Sequence, residues 1–453
     1  ESEDEHVLIC KGAVEEVFSA CTRYQVDDDI NPLIDMLKRD LLDEFEALSS
    51  DGYRVLAVAY REFPKTKEVF SAADESELVL LGYIAFFDPP KDTAAAALEA
   101  LGKSGVRTKI LTGDNELVTR KICKDVGLSV DSIVTGDRLR GLSQPQLAEL
   151  AERTTVFARL NPSQKEEIIR ALQKAGHVVG FLGDGINDAP ALKAADVGIS
   201  VDTAVDVAKE SADIILLKKS LTVLEDGIVE GRRVFGNILK YIRMGASSNF
   251  GNMFSMLGGS FLPFLPMAPI QILVNNLLYD VSQVGIPFDE VDEEYLAKPR
   301  RWDIGGIKKF MLWLGPVSSL FDYATFAVML WVFHCSRFSL PGTSAAAKTQ
   351  LESLFHTGWF VESLMSQTLI VHIIRTNRIP FIQSRASLPL TLTTLAVMAV
   401  GIALPYTAFG PAIGLTPLPA AFWPWLFAIL CGYIVLAHAV KTRVNRILEP
   451  EAA

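Results

Sequence analysis

The chain has 453 residues, 49% of them apolar and 21% charged, with a net charge of −11 and a mean hydropathy of +0.26. The charge is segregated: residues 1–236 hold 42 acidic and 28 basic side chains, and residues 237–453 hold 12 and 15. That split argues against a uniform acidic globule, a disordered chain or a nucleic-acid binder, since no basic stripe interleaved with aromatics occurs, and it implies an acidic soluble half followed by a membrane half.

The opening residues Glu1-Ser2-Glu3-Asp4-Glu5 have no initiator Met, basic region or apolar run, so the chain reads as starting inside a domain rather than at a signal peptide. Helical patterns are expected at 13–24 and 32–48, and strands at Tyr53 to Tyr60 and Leu78 to Phe87. Beyond Asp88-Pro89-Pro90, helices are expected at 93–104, 116–126, 143–152, 163–175 and 189–194. They alternate with strands at 108–111, 155–158, 178–182, 197–199 and 214–216. Strands alternating with helices predict a doubly wound parallel sheet with its site at the carboxyl ends of the strands. A helix at 225–241 leads into six apolar stretches long enough to cross a bilayer, near 244–262, 270–288, 310–333, 354–374, 388–406 and 420–440. Alternate loops between them carry eleven Lys and Arg against two on the other side, which predicts that the soluble half and the C-terminus are cytoplasmic. The five cysteines are scattered without metal or disulfide spacing, which fits a reducing compartment, and the six histidines form no cluster.

Gly183-Asp184-Gly185-Ile186-Asn187-Asp188 follows an apolar strand and opens a helix. Two carboxylates four residues apart in a glycine-rich turn suit Mg²⁺, which takes one or two carboxylates plus waters and phosphate. The alternative is a plain turn with Asp caps. Thr112-Gly113-Asp114 ends another apolar strand, where a hydroxyl and free N–H groups suit a phosphoryl oxygen, or where Asp114 merely caps a helix. Lys165 lies between the two runs on the first turn of a helix; it is a solvated lysine or the cation that phosphoryl transfer needs.

These residues resemble the haloacid-dehalogenase-like phosphotransferases and, within them, the P-type ATPases. The likeness is carried by Asp88-Pro89-Pro90, Thr112-Gly113-Asp114, the run Ala158 to Lys165, and Gly183 to Leu192. Upstream it is carried by Lys11-Gly12-Ala13 and Gly52 to Ala57. The resemblance implies an α/β soluble part plus an α-helical membrane part. Residues 1–87 would be the C-terminal part of a nucleotide-binding domain, 88–225 a haloacid-dehalogenase-like phosphorylation domain, 226–446 a stalk with six transmembrane helices, and 447–453 a tail. It also implies ATP and Mg²⁺ as cofactors. Lys11 and Gly12 would lie at the adenosine and Arg54 and Arg159 near the phosphates. Thr112, Gly113, Asp114 and Lys165 would surround the transferred phosphoryl group, with Asp184, Asn187 and Asp188 at the catalytic Mg²⁺. The family nucleophile, an Asp in Asp-Lys-Thr-Gly-Thr, is absent from the 453 residues and is expected upstream of Glu1 with an actuator domain and four further spans.

Ionisable and amide groups inside spans are functional suspects. Asn276, Asp280 and Gln283 share a helical face at i, i+4 and i+7, and Asn249 and Asn252 share one at i and i+3. The alternative is that the amides stabilise the bundle. The wording around Ser247 to Asn252, Asn276 to Gln283 and Ser366 to His372 is similar to bacterial magnesium-transporting P-type ATPases. It implies Mg²⁺ import across the cytoplasmic membrane, with Asn249, Asn252, Asn276 and Asp280 as ligands of the transported ion. Asp322 and Glu362 are further intramembrane acids, either ligands or partners of polar neighbours. The rival readings are a pump for Ca²⁺ or H⁺ and a membrane-tethered phosphatase or non-catalytic subunit.

Overall fold

The computed structural model describes residues 5–218 and 220–448, so the opening residues 1–4 and most of the expected tail at 447–453 lie outside the described residues. The chain divides into two units, Glu1–Gly227 and Ile228–Ala453.

The first unit begins with β1 (Glu5–Gly12), α1 (Val14–Ala20), β2 (Cys21–Val26), β3 (Asp29–Pro32), α2 (Asp35–Ser50), β4 (Tyr53–Pro64) and β5 (Leu78–Phe87). Strands β1 and β5 both pair antiparallel with β4, and the sheet order is β1-β4-β5-β2-β3. Val14, Val17 and Phe18 of α1 and Phe45 of α2 pack on Val55, Ala57, Ala59, Leu78 and Leu80 of the sheet. The helix expected at 13–24 therefore ends at Ala20. Cys21 to Val26, rich in β-branched and aromatic residues, is drawn into the sheet between β5 and β3, an outcome that tertiary pairing rather than local propensity decides.

The unit continues with α3 (Ala94–Lys103), β6 (Ile110–Leu111), α4 (Glu116–Asp125), β7 (Ile133–Thr135), α5 (Gln144–Arg153), β8 (Val156–Ala158) and α6 (Pro162–Lys174). Then follow β9 (Gly180–Leu182), α7 (Ala189–Ala194), β10 (Val197–Val201), α8 (Asp206–Ser211) and β11 (Ile214–Leu216). Every pairing here is parallel, as alternating strands and helices require. The strands form two three-stranded ladders, β6-β8-β7 and β11-β10-β9, rather than the single expected sheet. β6 is one edge of the first ladder and β9 one edge of the second, and Leu111 packs into both adjoining apolar clusters.

The second unit contains α9 (Thr222–Gly259, whose first turns belong to the first unit), α10 (Pro269–Gln283), α11 (Glu293–Leu296) and α12 (Ile304–Ala327). After these come α13 (Ala345–Ile374), α14 (Leu388–Ala403), α15 (Phe409–Ala412) and α16 (Phe422–Leu448). Of the six expected spans, two correspond to helices that are long and apolar enough by themselves to cross a membrane, Leu388–Tyr406 and Phe422–Ile447. α10 has only 15 residues, and α12 runs 24 residues past an internal Pro316 before one π-helical turn at Val328–Val332. α13 is the central helix: from Phe355 to Ile374 only Leu369 is not buried, which is why its polar residues need partners inside the unit.

One end of this unit is tied at Asp289, whose side chain is fully buried. Oδ2 accepts from Lys240 Nζ at 2.7 Å and Arg375 Nε at 2.8 Å, and Oδ1 accepts from the Ser387 backbone N–H at 3.0 Å. Burial alone would push this carboxyl up, but the attraction of Lys240 and Arg375 outweighs it and holds Asp289 below the usual carboxylate range.

Candidate functional site

A cavity of about 570 Å³ opens at the carboxyl ends of β6 and β9, lined among others by Arg54, Thr112, Asp114, Lys165, Asp184 and Asp188. The backbone explains the convergence. After β6, Leu160 N donates to Thr112 O at 3.0 Å and Arg159 N to Asp114 O at 2.8 Å, clamping the Thr112-Gly113-Asp114 turn onto the loop that follows β8. Arg159 takes a left-handed φ of 50°, so that loop turns sharply before α6. Asn161 then caps α6 by accepting from Gln164 N at 2.9 Å. Gln164 Oε1 accepts from Asn161 N at 3.0 Å, and Pro162 sits in the first turn. Gln164 Nε2 donates to Gly136 O at 2.8 Å, and a Cβ on Gly136 would lie 2.6 Å from Gln164 Oε1, so glycine is needed for this approach.

These contacts place Lys165, 9% exposed, with Nζ 2.8 Å from Asp188 Oδ1. Asp188 Oδ2 accepts from Gly185 N at 3.1 Å. Gly183 lets the turn close: a Cβ there would sit 2.6 Å from the Asp188 Cβ. Ser200 Oγ donates to Gly183 O at 2.8 Å and pins the same turn to β10. Asp188 is thus committed to Lys165 and the backbone. Asp184 is exposed and makes no ion pair among the described residues, so it is the open carboxylate of the two. One open carboxylate facing a polar, water-accessible cavity is a donor set that fits Mg²⁺, which keeps several waters and is held by one or two carboxylates. Asn187 also lines the cavity.

Thr112 Oγ1 donates to Asp114 Oδ2 and accepts from Asp114 N, both at 3.1 Å. Asp114 Oδ1 lies 2.7 Å from Arg54 Nη2 on β4. Hydrogen bonding to Asp114 raises the Arg54 pKa further, so this cation is permanent and half-exposed at the cavity mouth. Lys11 is exposed on β1, paired with Val58, and Gly12 is paired with Ala57. Lys11 is therefore four residues along the ladder from Arg54, or ~13 Å at strand rise. Arg159 points instead to Glu15 of α1, at 2.8 Å.

Sequence reasoning missed Glu15 and the Ser49 hydroxyl that accepts from Asn115 Nδ2 at 3.3 Å, because these meet the site only in three dimensions. It also passed over the Asn161 to Gln164 capping box, which the pattern Asn-Pro-Ser-Gln does announce.

The expected ion ligands behave differently. Asn252 Oδ1 accepts from Gln367 Nε2 at 3.0 Å. Asn249, Asn276 and Asp280 are exposed, and no hydrogen bond or ion pair joins them among the described residues. The interior face of α10 instead carries Gln271, Asn275, Tyr279, Ser282 and Gln283.

Family models described as "Cation transporting ATPase, C-terminus" and "P-type ATPase, cytoplasmic domain N" match residues 264–443 and 1–93. The chain is 54% identical over 447 residues to the "Magnesium-transporting ATPase, P-type 1" of Escherichia coli K12, covering 98% of this chain and 49% of that protein. A protein of the same name from Salmonella typhimurium LT2 is also 54% identical, covering 98% and 48%. A calcium-transporting ATPase of Bacillus subtilis is 32% identical over 358 residues, covering 77% and 40%. The chain spans about half the length of the curated magnesium-transporting relatives it matches.

Proposed function

The chain belongs to the cation-transporting P-type ATPases, and we propose from this premise that it is the C-terminal half of a pump that moves Mg²⁺ across a bacterial cytoplasmic membrane through an aspartyl-phosphate intermediate. The observation that carries the reading is the cavity in which Thr112, Lys165, Asp184 and Asp188 meet from three separate stretches of sequence.

In this reading the nucleophile's strand enters between the edge strands β6 and β9, whose ends line that cavity, making one haloacid-dehalogenase-like sheet of the two ladders. ATP lies along β1 and β4, with Lys11 and Gly12 at the adenosine and Arg54 on the phosphates. A bound phosphate competes with Asp114 for Arg54, so nucleotide entry opens that ion pair. Lys165, held by Asp188, neutralises the transferred phosphoryl oxygens, and the Thr112 hydroxyl and Gly113 backbone orient them. Asp184 holds the catalytic Mg²⁺, which supplies charge neutralisation to the phosphate.

The helices of the second unit supply six spans, with the soluble unit and the C-terminus cytoplasmic, as the loop charges support. Asp280 is the principal charged ligand of the transported ion, beside Asn249, Asn252 and Asn276. The exposure of Asp280, Asn249 and Asn276 within the unit matches a face that further spans cover, while Asn252 is bonded to Gln367.

The test is labelling of the full-length protein with γ-labelled ATP. An acid-stable, hydroxylamine-sensitive label stimulated by Mg²⁺ is expected. Its absence from folded protein sinks the reading.

A further inference from the structure

The interior of the second unit holds an acidic pair that no step above uses. Asp322 of α12 and Glu362 of α13 are 3% and 0% exposed. Asp322 is well supplied with donors: Oδ2 accepts from Ser255 Oγ at 2.5 Å and Oδ1 from Trp359 Nε1 at 2.7 Å. The Glu362 carboxyl lies against Asp322, Thr325 and Ser366, yet among the described residues neither of its oxygens receives a hydrogen bond from a donor, and the fully buried Thr325 hydroxyl beside it makes none.

Among the described residues, no ion pair given for a Lys, Arg or His includes Asp322 or Glu362. The titratable neighbour on α16 is the Tyr433 phenol, with Tyr279 of α10 acting on it in turn. On α12 itself, Tyr323 donates to Phe254 O. On α13, His356 is bonded to Leu265 O and His372 to Thr394. Lys240, Arg375 and Lys441 are engaged elsewhere, with Asp289 and with backbone carbonyls. Two adjacent carboxylates walled off from water repel each other, and one bound proton removes the repulsion. The donors settle which group keeps the charge. Asp322 receives two, as a carboxylate should, and Glu362 receives none, as a neutral acid that itself donates should.

We propose that Asp322 and Glu362 form a proton-binding site within the helical unit, in which Glu362 carries one proton and donates it to the Asp322 carboxylate. Binding adds one proton to a Glu362 oxygen and cancels one negative charge, with no other bond made or broken. The inference stands apart from the transport reading, since the dyad holds its proton whichever cation is moved.

Two measurements on the full chain in nanodiscs at neutral pH test it. Dicyclohexylcarbodiimide attacks protonated carboxyls in apolar surroundings, so peptide mapping should find the adduct on Glu362 and not on Asp322. Infrared spectroscopy should show a carboxylic acid carbonyl band that is lost in Glu362→Gln and shifted but kept in Thr325→Val. No adduct on Glu362, an adduct on Asp322 instead, or a band unchanged in Glu362→Gln would each overturn the assignment. Because the adduct is mapped on the unsubstituted chain, the outcome does not depend on a variant folding.

Discussion

In the soluble unit, Thr112, Lys165 and Asp188, separated by up to 76 positions, meet in one cavity with their bonds largely made; in the helical unit, Asn249, Asn276 and Asp280 share no bond and lie exposed. The difference is one of what holds a side chain in place. A strand-end turn fixes its residues through backbone hydrogen bonds, so Leu160 to Thr112 and Arg159 to Asp114 bring the loops together before any ligand arrives. A helical face fixes only a direction, and which surface meets that face depends on neighbouring elements. The contrast extends to charge: Lys165 and Asp188 neutralise each other at the cavity wall, whereas Asp280 has no cationic partner among the described residues.

The largest effect that sharpens this contrast is expected at Asp184. Asp184→Asn keeps the volume and removes the open carboxylate, so phosphoenzyme formed by the full-length protein should fall about 100-fold or more while nucleotide still binds. Near-normal labelling would break the account of the soluble site. Next comes the one place where the helical unit is as firmly bonded as the cavity. Asp289→Asn leaves Lys240 and Arg375 buried with a neutral partner and should cost about 3 kcal/mol, read by thermal unfolding in detergent. Because Asp289 is held below its ordinary value, its contribution is complete above about pH 4 and is lost as pH falls through the lowered value. The acid limb of the wild-type stability curve should therefore flatten in the variant, and an unchanged limb would show that Asp289 stabilises nothing.

Gly183→Ala tests the backbone side of the comparison. Its Cβ would enter the space of Asp188, so the turn should shift, with about 1–3 kcal/mol lost and phosphorylation weakened more than nucleotide binding. Equal losses in both would mean a general loosening. The smallest effect is expected at Arg54, which is half-exposed: Arg54→Ala should weaken nucleotide affinity about tenfold, a difference that shrinks as salt rises. An affinity insensitive to the change would move the phosphates away from β4.

Much of the soluble unit was legible because its chemistry is written in contiguous runs. Gly183 to Asp188 follows β9 and Thr112 to Asp114 follows β6, as apolar strands ending in glycine turns predict. The strand at Cys21 to Val26 was hidden because seven residues of helix precede it without a break, and only pairing to β5 reveals the switch. The division into two ladders was hidden too, since sequence order does not say which edges bond. In the helical unit, the apolar stretches marked the helices but not their partners. Gln283 shares a face with Asn276 and Asp280 by spacing, yet it is buried while they are exposed. Likewise, Asp322 and Glu362 lie 40 positions apart on different helices, so their adjacency is a fact of packing.

The central claim is that the soluble cavity drives Mg²⁺ through the helical unit, and the most direct measurement is ATP-dependent ion movement across sealed, Mg²⁺-loaded vesicles containing the full-length protein, with its soluble unit facing the ATP. The account predicts that ATP drives Mg²⁺ out of the lumen toward the ATP side. It predicts that Ca²⁺ does not replace Mg²⁺ as the transported ion, and that Asp280→Asn abolishes transport while hydroxylamine-sensitive labelling persists. Transport of Ca²⁺ in preference to Mg²⁺, or undiminished Mg²⁺ transport by the Asp280→Asn protein, would contradict it.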